Sequence, residues 1–254
     1  MQNDTLDDFI CHLCSQLPNR KAGKRGTKPI QKELLMRELF NLFRTNCGWR
    51  NIKYSSTCRN YLKELQRRSK LRNFFTYLTR EQKQFRVKKS ITDSSDIESY
   101  KTNGLVKYSG KYHNPCIKFT IGVNEHLIPI EGRIDTGTKS DSAIHDDILA
   151  KRDKLPIEEY LDKGYEGYNK RRQLHRCGCQ VRMEMKDYKR NRKRGPKFRF
   201  TREHKSIRSS IEKVVGWLKA FMILRLNRLR IKSLISAMFF FCLSYVTFMR
   251  LKKL

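Results

Sequence analysis

Residues 116–135, with the sequence "CIKFTIGVNEHLIPIEGRID", carry the pattern that decides the fold class of this chain. Ile117, Phe119, Ile121 and Val123 recur at every second position, which is the period of a half-buried strand. The turn-like "NEH" follows, and "LIPIEGRID" then favours another strand. The stretch therefore predicts two antiparallel strands joined by a short turn.

The flanking sequence extends this pair into a larger α/β pattern. Upstream, "RVKKSITDSS" predicts the first strand of a three-stranded meander. Downstream come a helix starting near Ser140 or Asp141, a strand at "IEEYLD", a strand at "CQVRMEM", and closing helices over roughly 202–224 and 231–251. The predicted order is three strands, a helix, a strand, a helix, a strand and the closing helices. This is the order of an RNase H-like domain, in which helices flank a mixed five-stranded sheet.

The N-terminal third has a helical period instead. Leu35, Leu39 and Leu42 lie on one face of a predicted helix, Ser56 is a candidate cap for the next, and a third follows. We predict an N-terminal helix and basic linker at 1–28 and a small all-α, helix-turn-helix-like DNA-binding domain at 29–85. The catalytic domain is predicted at 86–254, with a basic insert near 170–200.

The charge of the chain indicates a polyanionic partner. The 56 Lys and Arg residues exceed the 25 Asp and Glu residues, giving a net charge of +31. Such a charge opposes compaction unless a polyanion neutralises it, and contacts to nucleic-acid phosphates release counterions. At 38% hydrophobic residues the chain still has enough apolar side chains for a core, which excludes a disordered basic tail.

Two further features have structural alternatives. Cys11 with Cys14, and His175 with Cys177 and Cys179, have metal-like spacing, but neither set has a partner pair, so we interpret them as reduced thiols. Residues 233–249 carry no charge and would form a helix of roughly 26 Å, slightly short of a bilayer core. We interpret them as a buried core helix rather than a membrane span.

Three acids, Asp93, Asp162 and Glu212, stand where the first strand, the fourth strand and a late helix converge in an RNase H-like order. Each has an alternative role: Asp93 as a turn residue, Asp162 as a helix cap, and Glu212 as the ion-pair partner of Arg208. On one continuous helix, Arg208, Glu212 and Lys219 fall within about 40° of each other at the edge of an apolar stripe. A group at that edge faces a neighbouring element.

These blocks together resemble a DDE transposase of the bacterial insertion-sequence type. Arg208, Glu212 and Lys219 in "RSSIEKVVGWLK" are similar to the family's Y–R–E–K signature, with Lys205 where the tyrosine would stand. "ITDSSDI" resembles the block of the first aspartate, Asp93, and "LDKGYEGY" that of the second, Asp162. "GTKSDSAIHDDIL" and the N-terminal "NLFRTNCGWRNI" resemble two further family blocks, so the resemblance covers roughly residues 22–251.

The resemblance implies a chemistry and its residues. Asp93, Asp162 and Glu212 would be catalytic and would bind Mg²⁺, with Mn²⁺ able to substitute and two ions expected. Cleavage at the transposon end would expose a 3′-OH that attacks target DNA, without a covalent protein–DNA intermediate. Phosphate contacts are expected from the basic residues Arg208, Lys219, Lys163, Arg50, Arg192, Lys193 and Arg194.

The implied partners are the terminal inverted repeats and target DNA, bound by a homodimer or larger assembly, with a cytoplasmic, nucleoid-associated location and no membrane. Two alternatives stay open at this point. One is a catalytically inactive transposase derivative that binds DNA as a repressor or passenger protein. The other is a basic membrane-associated protein anchored by residues 233–249.

Overall fold

The computed structural model describes residues 2–18, 29–84, 87–99, 106–109, 114–152, 154–165, 168–184, 199–227 and 232–254. Its helices are α1 Gln2–Gln16, α2 Lys32–Thr45, α3 Ser55–Arg67, α4 Lys70–Gln84, α5 Asp141–Leu149, α6 Tyr168–Arg176, α7 Arg202–Ser209, α8 Ile211–Lys219 and α9 Lys232–Leu251. Its strands are β1 Lys89–Ser99, β2 Lys107–Ser109, β3 Asn114–Asn124, β4 Pro129–Thr136, β5 Glu158–Leu161, β6 Gln180–Met183 and β7 Leu226–Asn227. Short 3₁₀ turns lie at Trp49–Asn51, Lys163–Tyr165 and Met222–Leu224.

The chain divides into two compact units, of which the first is discontinuous in sequence. It comprises Met1–Leu78, Glu98–Asn103 and Trp217–Leu254. The C-terminal helix α9 packs within it against α3 and α1. The second unit comprises Thr79–Ile97 and Gly104–Gly216.

Aromatic side chains form the core of the first unit. The fully buried ring of Phe9 in α1 contacts the rings of Phe241 and Tyr245 in α9, at centroid distances of 5.6 and 5.2 Å. Phe43 of α2 contacts Phe241 as well, at 5.4 Å. Burying each such ring contributes roughly 1.5–3 kcal/mol. Helix α9 is therefore an integral part of the core of this unit.

Helix α9 is also long and apolar enough to cross a membrane when judged by length and composition. The qualifying window is Leu234–Leu251, and 67% of it is buried inside the protein. A core helix of a soluble protein meets the same criteria, so this property does not indicate a membrane protein.

The predicted helices of the N-terminal third are present, with one correction at a helix start. Helix α2 ends at Thr45, where Asn46 adopts a left-handed conformation with φ of 52° and donates its backbone N–H to the Leu42 carbonyl. The predicted capping role of Ser56 is wrong. Helix α3 begins at Ser55, after Tyr54 at φ of 58°, and Tyr54 makes no side-chain capping hydrogen bond.

The second unit is built on a mixed sheet. Hydrogen-bonded neighbours follow the order β2-β3-β1-β5-β6, and β4 pairs with β3 in antiparallel fashion. Strands β1, β5 and β6 run parallel. The mixed α/β class predicted from the alternating pattern is therefore confirmed.

All five predicted strands are present, as β1, β3, β4, β5 and β6. Strand β1 runs from Lys89 to Ser99, so it begins later and ends later than the predicted "RVKKSITDSS". The short strands β2 and β7 were not predicted, because three- and two-residue segments are too short to show a period. Helix α5 begins where expected, since the Ser140 hydroxyl accepts a hydrogen bond from the Ala143 backbone N–H.

Gly137, between β4 and α5, gives a first test of this packing. A methyl group there would lie 2.5 Å from the Cys116 sulfur and 2.6 Å from the Cys116 carbonyl oxygen. Because the backbone oxygen cannot move aside cheaply, we expect Gly137→Ala to lower the free energy of unfolding by about 1–3 kcal/mol, measured by urea denaturation.

Gly216 in α8 is the matched control for this substitution. A methyl group at Gly216 meets nothing within 4 Å among the described residues. Gly216→Ala should therefore raise the free energy of unfolding, by up to about 1 kcal/mol through helix propensity. Equal effects of the two substitutions would contradict the packing around Gly137.

Candidate active site

Strand pairing brings two of the predicted acids together. In the parallel register of β1 with β5, Ser90 lies opposite Glu159 and Thr92 opposite Leu161. Continuing this register by one residue places Asp93 beside Asp162, which directly follows β5. Adjacent strands are about 4.8 Å apart, and residues in register on parallel strands point to the same face. The alternative of Asp93 as a turn residue is wrong, because Asp93 lies inside β1.

The electrostatics of Asp93 agree with this placement. Burial raises the pKa of Asp93 above its ordinary value, and the charges of Asp162 and Asp141 raise it further. The Arg208 guanidinium and the Ser94 backbone N–H, which donates to Asp93 Oδ1 at 2.9 Å, act in the opposite direction. Asp93 is therefore partly dehydrated and lies within reach of the charges of Arg208, Asp162 and Asp141.

A cation from another element lies against Asp93. Arg208, in the last turn of α7, places Nη2 3.3 Å from Asp93 Oδ2. The two side chains are 16% and 19% exposed. The Arg208 Nε atom is buried and has no hydrogen-bond partner among the residues that the structure describes. The ion pair of Arg208 is thus with Asp93, where the sequence suggested Glu212.

The predicted continuous helix over 202–224 is interrupted directly after Arg208. Helix α7 ends at Ser209 and α8 begins at Ile211. The hydroxyls of Ser209 and Ser210 donate to the carbonyls of Ser206 and Ile207, at 3.0 and 2.6 Å. Such bonds compete with the helical ladder and bend helices. Arg208 and Glu212 therefore belong to different helices.

Glu212 lies in the first turn of α8, at the rim of a pocket. The pocket encloses about 510 Å³, including space open to solvent. Its lining combines acids, cations and one aromatic ring: Leu161, Asp162, Lys163, Glu184, Phe200, Lys205, Arg208, Ser209 and Glu212. Asp162 and Glu212 thus line one pocket, and Asp93 is linked to it through Arg208. The apolar stripe beside Glu212 is buried at Ile211, Val214 and Leu218, whereas Met222, predicted to belong to it, is 43% exposed.

The donor set can be compared with what a divalent metal requires. Asp93, Asp162 and Glu212 offer only carboxylate oxygens, the ligands that Mg²⁺ prefers, and their mutual repulsion favours binding a cation. Among the described residues, however, no three His, Cys, Asp or Glu side chains are grouped closely enough to hold one metal ion. By chemistry the residues fit Mg²⁺, and in this arrangement the cation against Asp93 is Arg208.

A buried ionic network, not anticipated from the sequence, supports the strands beneath the site. Arg152 bonds Glu159 through Nη1, at 2.9 and 3.0 Å, and bonds Glu131 through Nε and Nη2, at 2.7 and 2.8 Å. Glu159 also contacts His145 Nε2 at 2.9 Å and accepts from the Thr92 hydroxyl at 3.3 Å. The network joins α5 to β1, β4 and β5.

The charge state of this network follows from its partners. Burial alone would raise the pKa of Glu159, but Arg152 and His145 outweigh it and lower the pKa to about 2. One feature of the sequence indicates that Glu159 is buried. It lies two positions before Leu161, so both side chains are on the same face of β5, and that face is buried.

Hydroxyl groups connect the turn after Asp162 to β1. Ser94 Oγ lies 2.8 Å from Tyr165 Oη and 2.7 Å from Thr120 Oγ1. Tyr165 itself is buried, and its ring meets the His145 ring edge-on at 5.6 Å. Ser94, the residue next to Asp93, is therefore held by both Tyr165 and Thr120.

The other predicted phosphate-binding residues have different positions. Lys163 lines the pocket and pairs with Glu184 at 3.2 Å. Lys219 is half-buried in the last turn of α8, and Arg50 is exposed in the turn Trp49–Asn51; both belong to the first unit. Arg192, Lys193 and Arg194 lie outside the described residues. None of the eight cysteines forms a disulfide bond.

Comparison with known proteins identifies the family. The family described as "Transposase DDE domain" matches residues 85–247. The chain therefore belongs to the DDE transposases. No curated protein matches the sequence at a significant level.

A solved structure of another transposase is similar in fold. It is described as the cryo-EM structure of the piggyBac transposase synaptic complex with hairpin DNA. The similarity has a TM-score of 0.54 at 9% sequence identity, and covers 97% of this chain and 72% of that one. At this identity the likeness concerns the fold alone.

Arg152 provides a test of the buried network. Arg152→Met would leave the buried carboxylate of Glu159 and the partly buried carboxylate of Glu131 without their shared cation. We expect the free energy of unfolding to fall by about 3–5 kcal/mol in urea denaturation. Arg176→Met, at an exposed position of α6, should change it by no more than about 0.5 kcal/mol. Similar stability of the two variants would contradict the network.

Tyr165 provides a test of the hydroxyl contacts. Tyr165→Phe removes one hydrogen bond from Ser94, and should cost about 1 kcal/mol and speed amide exchange at Ser94. Tyr160→Phe is the matched control, because it also removes one tyrosine hydroxyl, which donates to Glu158 Oε2 at 3.0 Å rather than to Ser94. Unchanged exchange at Ser94 in Tyr165→Phe would show that the contact does not hold β1.

Proposed function

We propose that this protein is an active transposase that cuts DNA at transposon ends and joins the resulting 3′-OH to target DNA. The family membership supports a DNA-cutting and DNA-joining enzyme. The observation that carries the proposal for this chain is the β1–β5 register, which brings Asp93 next to Asp162. Glu212 is the third acid, since it lines the same pocket as Asp162.

The strand order supports the RNase H-like interpretation of the second unit. Strand β1 lies between β3 and β5, and parallel strands β5 and β6 complete one side of the sheet. The two aspartates are then contributed by the central strand and its parallel neighbour. The helix-turn-helix character of residues 29–85 remains part of the proposal.

Each site residue has a proposed role. Asp93, Asp162 and Glu212 would hold Mg²⁺ or Mn²⁺, and two such ions supply an activated water or hydroxyl and relieve charge on the leaving oxygen. Lys163 and Arg208 line the pocket and would bind phosphate oxygens. Lys219 completes the proposed Y–R–E–K assignment, in which Lys205 replaces the tyrosine.

The chain supplies orientation and charge balance in this scheme. Before an ion binds, Arg208 would offset the acids and hold the Asp93 carboxylate in one direction. The bond from the Ser94 N–H to Asp93 Oδ1 fixes the other oxygen. No serine or tyrosine nucleophile is required, because water and then the DNA 3′-OH attack the phosphorus atom.

The partners proposed for this chain are DNA and further copies of itself. The net charge of +31 favours phosphate binding through counterion release. The similar piggyBac structure is a synaptic complex with hairpin DNA, which supports double-stranded transposon ends as the substrate here and an oligomer assembled on them. A cytoplasmic, nucleoid-associated location follows from such a substrate.

Asp162→Asn tests the proposal against the inactive, DNA-binding alternative. With Mg²⁺ and a plasmid carrying the sequences that flank the gene, we expect the variant to lose more than about 100-fold in cleavage rate, because removing a ligand costs more than removing its supporting contacts. Thermal stability should stay equal or rise slightly, since a repulsion with Asp93 is relieved.

Glu203→Gln is the control for the loss of one negative charge. Glu203 is exposed in the first turn of α7 and does not line the pocket. This variant should cleave as the wild type does. Equal cleavage by Asp162→Asn and wild type, or no cleavage by any of the three proteins, would favour the DNA-binding derivative.

A further inference from the structure

Arg208 lies near acidic groups in two places. On one side its Nη2 atom is 3.3 Å from Asp93 Oδ2. On the other it lines the pocket together with Asp162 and Glu212. An arginine side chain keeps its charge at every physiological pH, so it can neutralise this acidic region whenever no other cation is present.

The contacts of Asp93 show what a metal ion would have to displace. Its Oδ1 accepts the Ser94 backbone N–H, and its Oδ2 is paired with Arg208. Both oxygens are thus engaged with donors from the protein. Among the described residues, no three acidic, histidine or cysteine side chains are grouped to hold a metal. A divalent ion bound to Oδ2 would lie close to the guanidinium, and repulsion between the two cations would drive the guanidinium away.

Arg208 also has the properties of a group that can change partners. Its buried Nε donates to no atom of the described residues, so this arrangement leaves one of its donors unsatisfied. It stands in the last turn of α7, directly before the break at Ser210. The pocket that it lines also contains Lys163 and Lys205, a set of cations suited to a phosphate group.

We propose that Arg208 is a built-in counter-ion that competes with the divalent cation for Asp93 and, once displaced, binds a DNA phosphate. Metal and DNA then bind cooperatively. The metal displaces Arg208 from Asp93 and so frees it for a phosphate, and a phosphate that binds Arg208 leaves Asp93 open to the metal. This inference rests on the proposed metal site at Asp93, Asp162 and Glu212. Linkage requires that the metal increase DNA affinity by the same factor by which DNA increases metal affinity.

The test measures Mn²⁺ affinity by calorimetry, with and without a short DNA duplex taken from the gene's flanking sequence. For the wild type we expect the duplex to tighten Mn²⁺ binding by about 5- to 150-fold, the usual range of such couplings. Arg208→Gln without DNA should bind Mn²⁺ at least about 5-fold more tightly than the wild type. Its further gain from DNA should be smaller than that of the wild type.

Two control variants separate the ion pair from charge in general and from misfolding. Arg202→Gln makes the same substitution on the same helix, at an exposed position outside the pocket, and should behave as the wild type. Arg208→Lys keeps the charge and should stay closer to the wild type than Arg208→Gln. Thermal unfolding of each variant shows whether the fold is intact, and Arg208→Met, a second variant without the charge, carries the comparison if Arg208→Gln does not fold.

The possible outcomes distinguish this inference from the proposed function. If the wild type binds Mn²⁺ and Arg208→Gln binds it equally well or more weakly, the counter-ion role is overturned while the proposed function stands. An equal gain in Mn²⁺ affinity in Arg202→Gln would show that the effect comes from net charge in general, and would also overturn the counter-ion role. Absence of Mn²⁺ binding by every protein, with and without DNA, contradicts the metal site and the inference together.

Discussion

The parallel pairing of β1 with β5 determines where the chemistry of this protein can occur. The register places Thr92 opposite Leu161. The next residue of each segment is an aspartate, so Asp93 and Asp162 become neighbours. A shift of one residue would move Asp162 away from Asp93 and turn the side chains of β5 to the other face. The buried bond from Thr92 to Glu159 connects the same two strands and opposes such a shift.

Negative charge beneath and at the site is balanced in two different ways. In the interior, Arg152 is shared by Glu131 and Glu159 through several short hydrogen bonds, and this shared pairing resists rearrangement. At the pocket, Arg208 has a single longer contact to Asp93 and an unsatisfied Nε among the described residues. The first arrangement is suited to stability, and the second leaves room for exchange with a ligand.

The order of the five main strands along the chain, and the place of Asp162 at the end of β5, could be predicted from the sequence, because alternating apolar residues and short connections are local signals. The break at Ser210 could not, since it depends on which carbonyls the serine hydroxyls reach. The partner of Arg208 was mispredicted for a related reason: spacing along one helix favoured Glu212, whereas tertiary packing supplied Asp93. The Arg152 network joins residues of separate elements and has no local signature beyond the inward position of Glu159.

The discontinuous first unit has a consequence for how the chain is made. Phe9 and Phe43 find their partner Phe241 roughly 200 residues or more away in sequence. During synthesis the N-terminal helices leave the ribosome long before α9, and their apolar faces stay uncovered until α9 has been synthesised. Nascent chains of this protein should therefore depend on chaperones, and a premature stop codon before α9 should yield an insoluble product rather than a smaller folded protein.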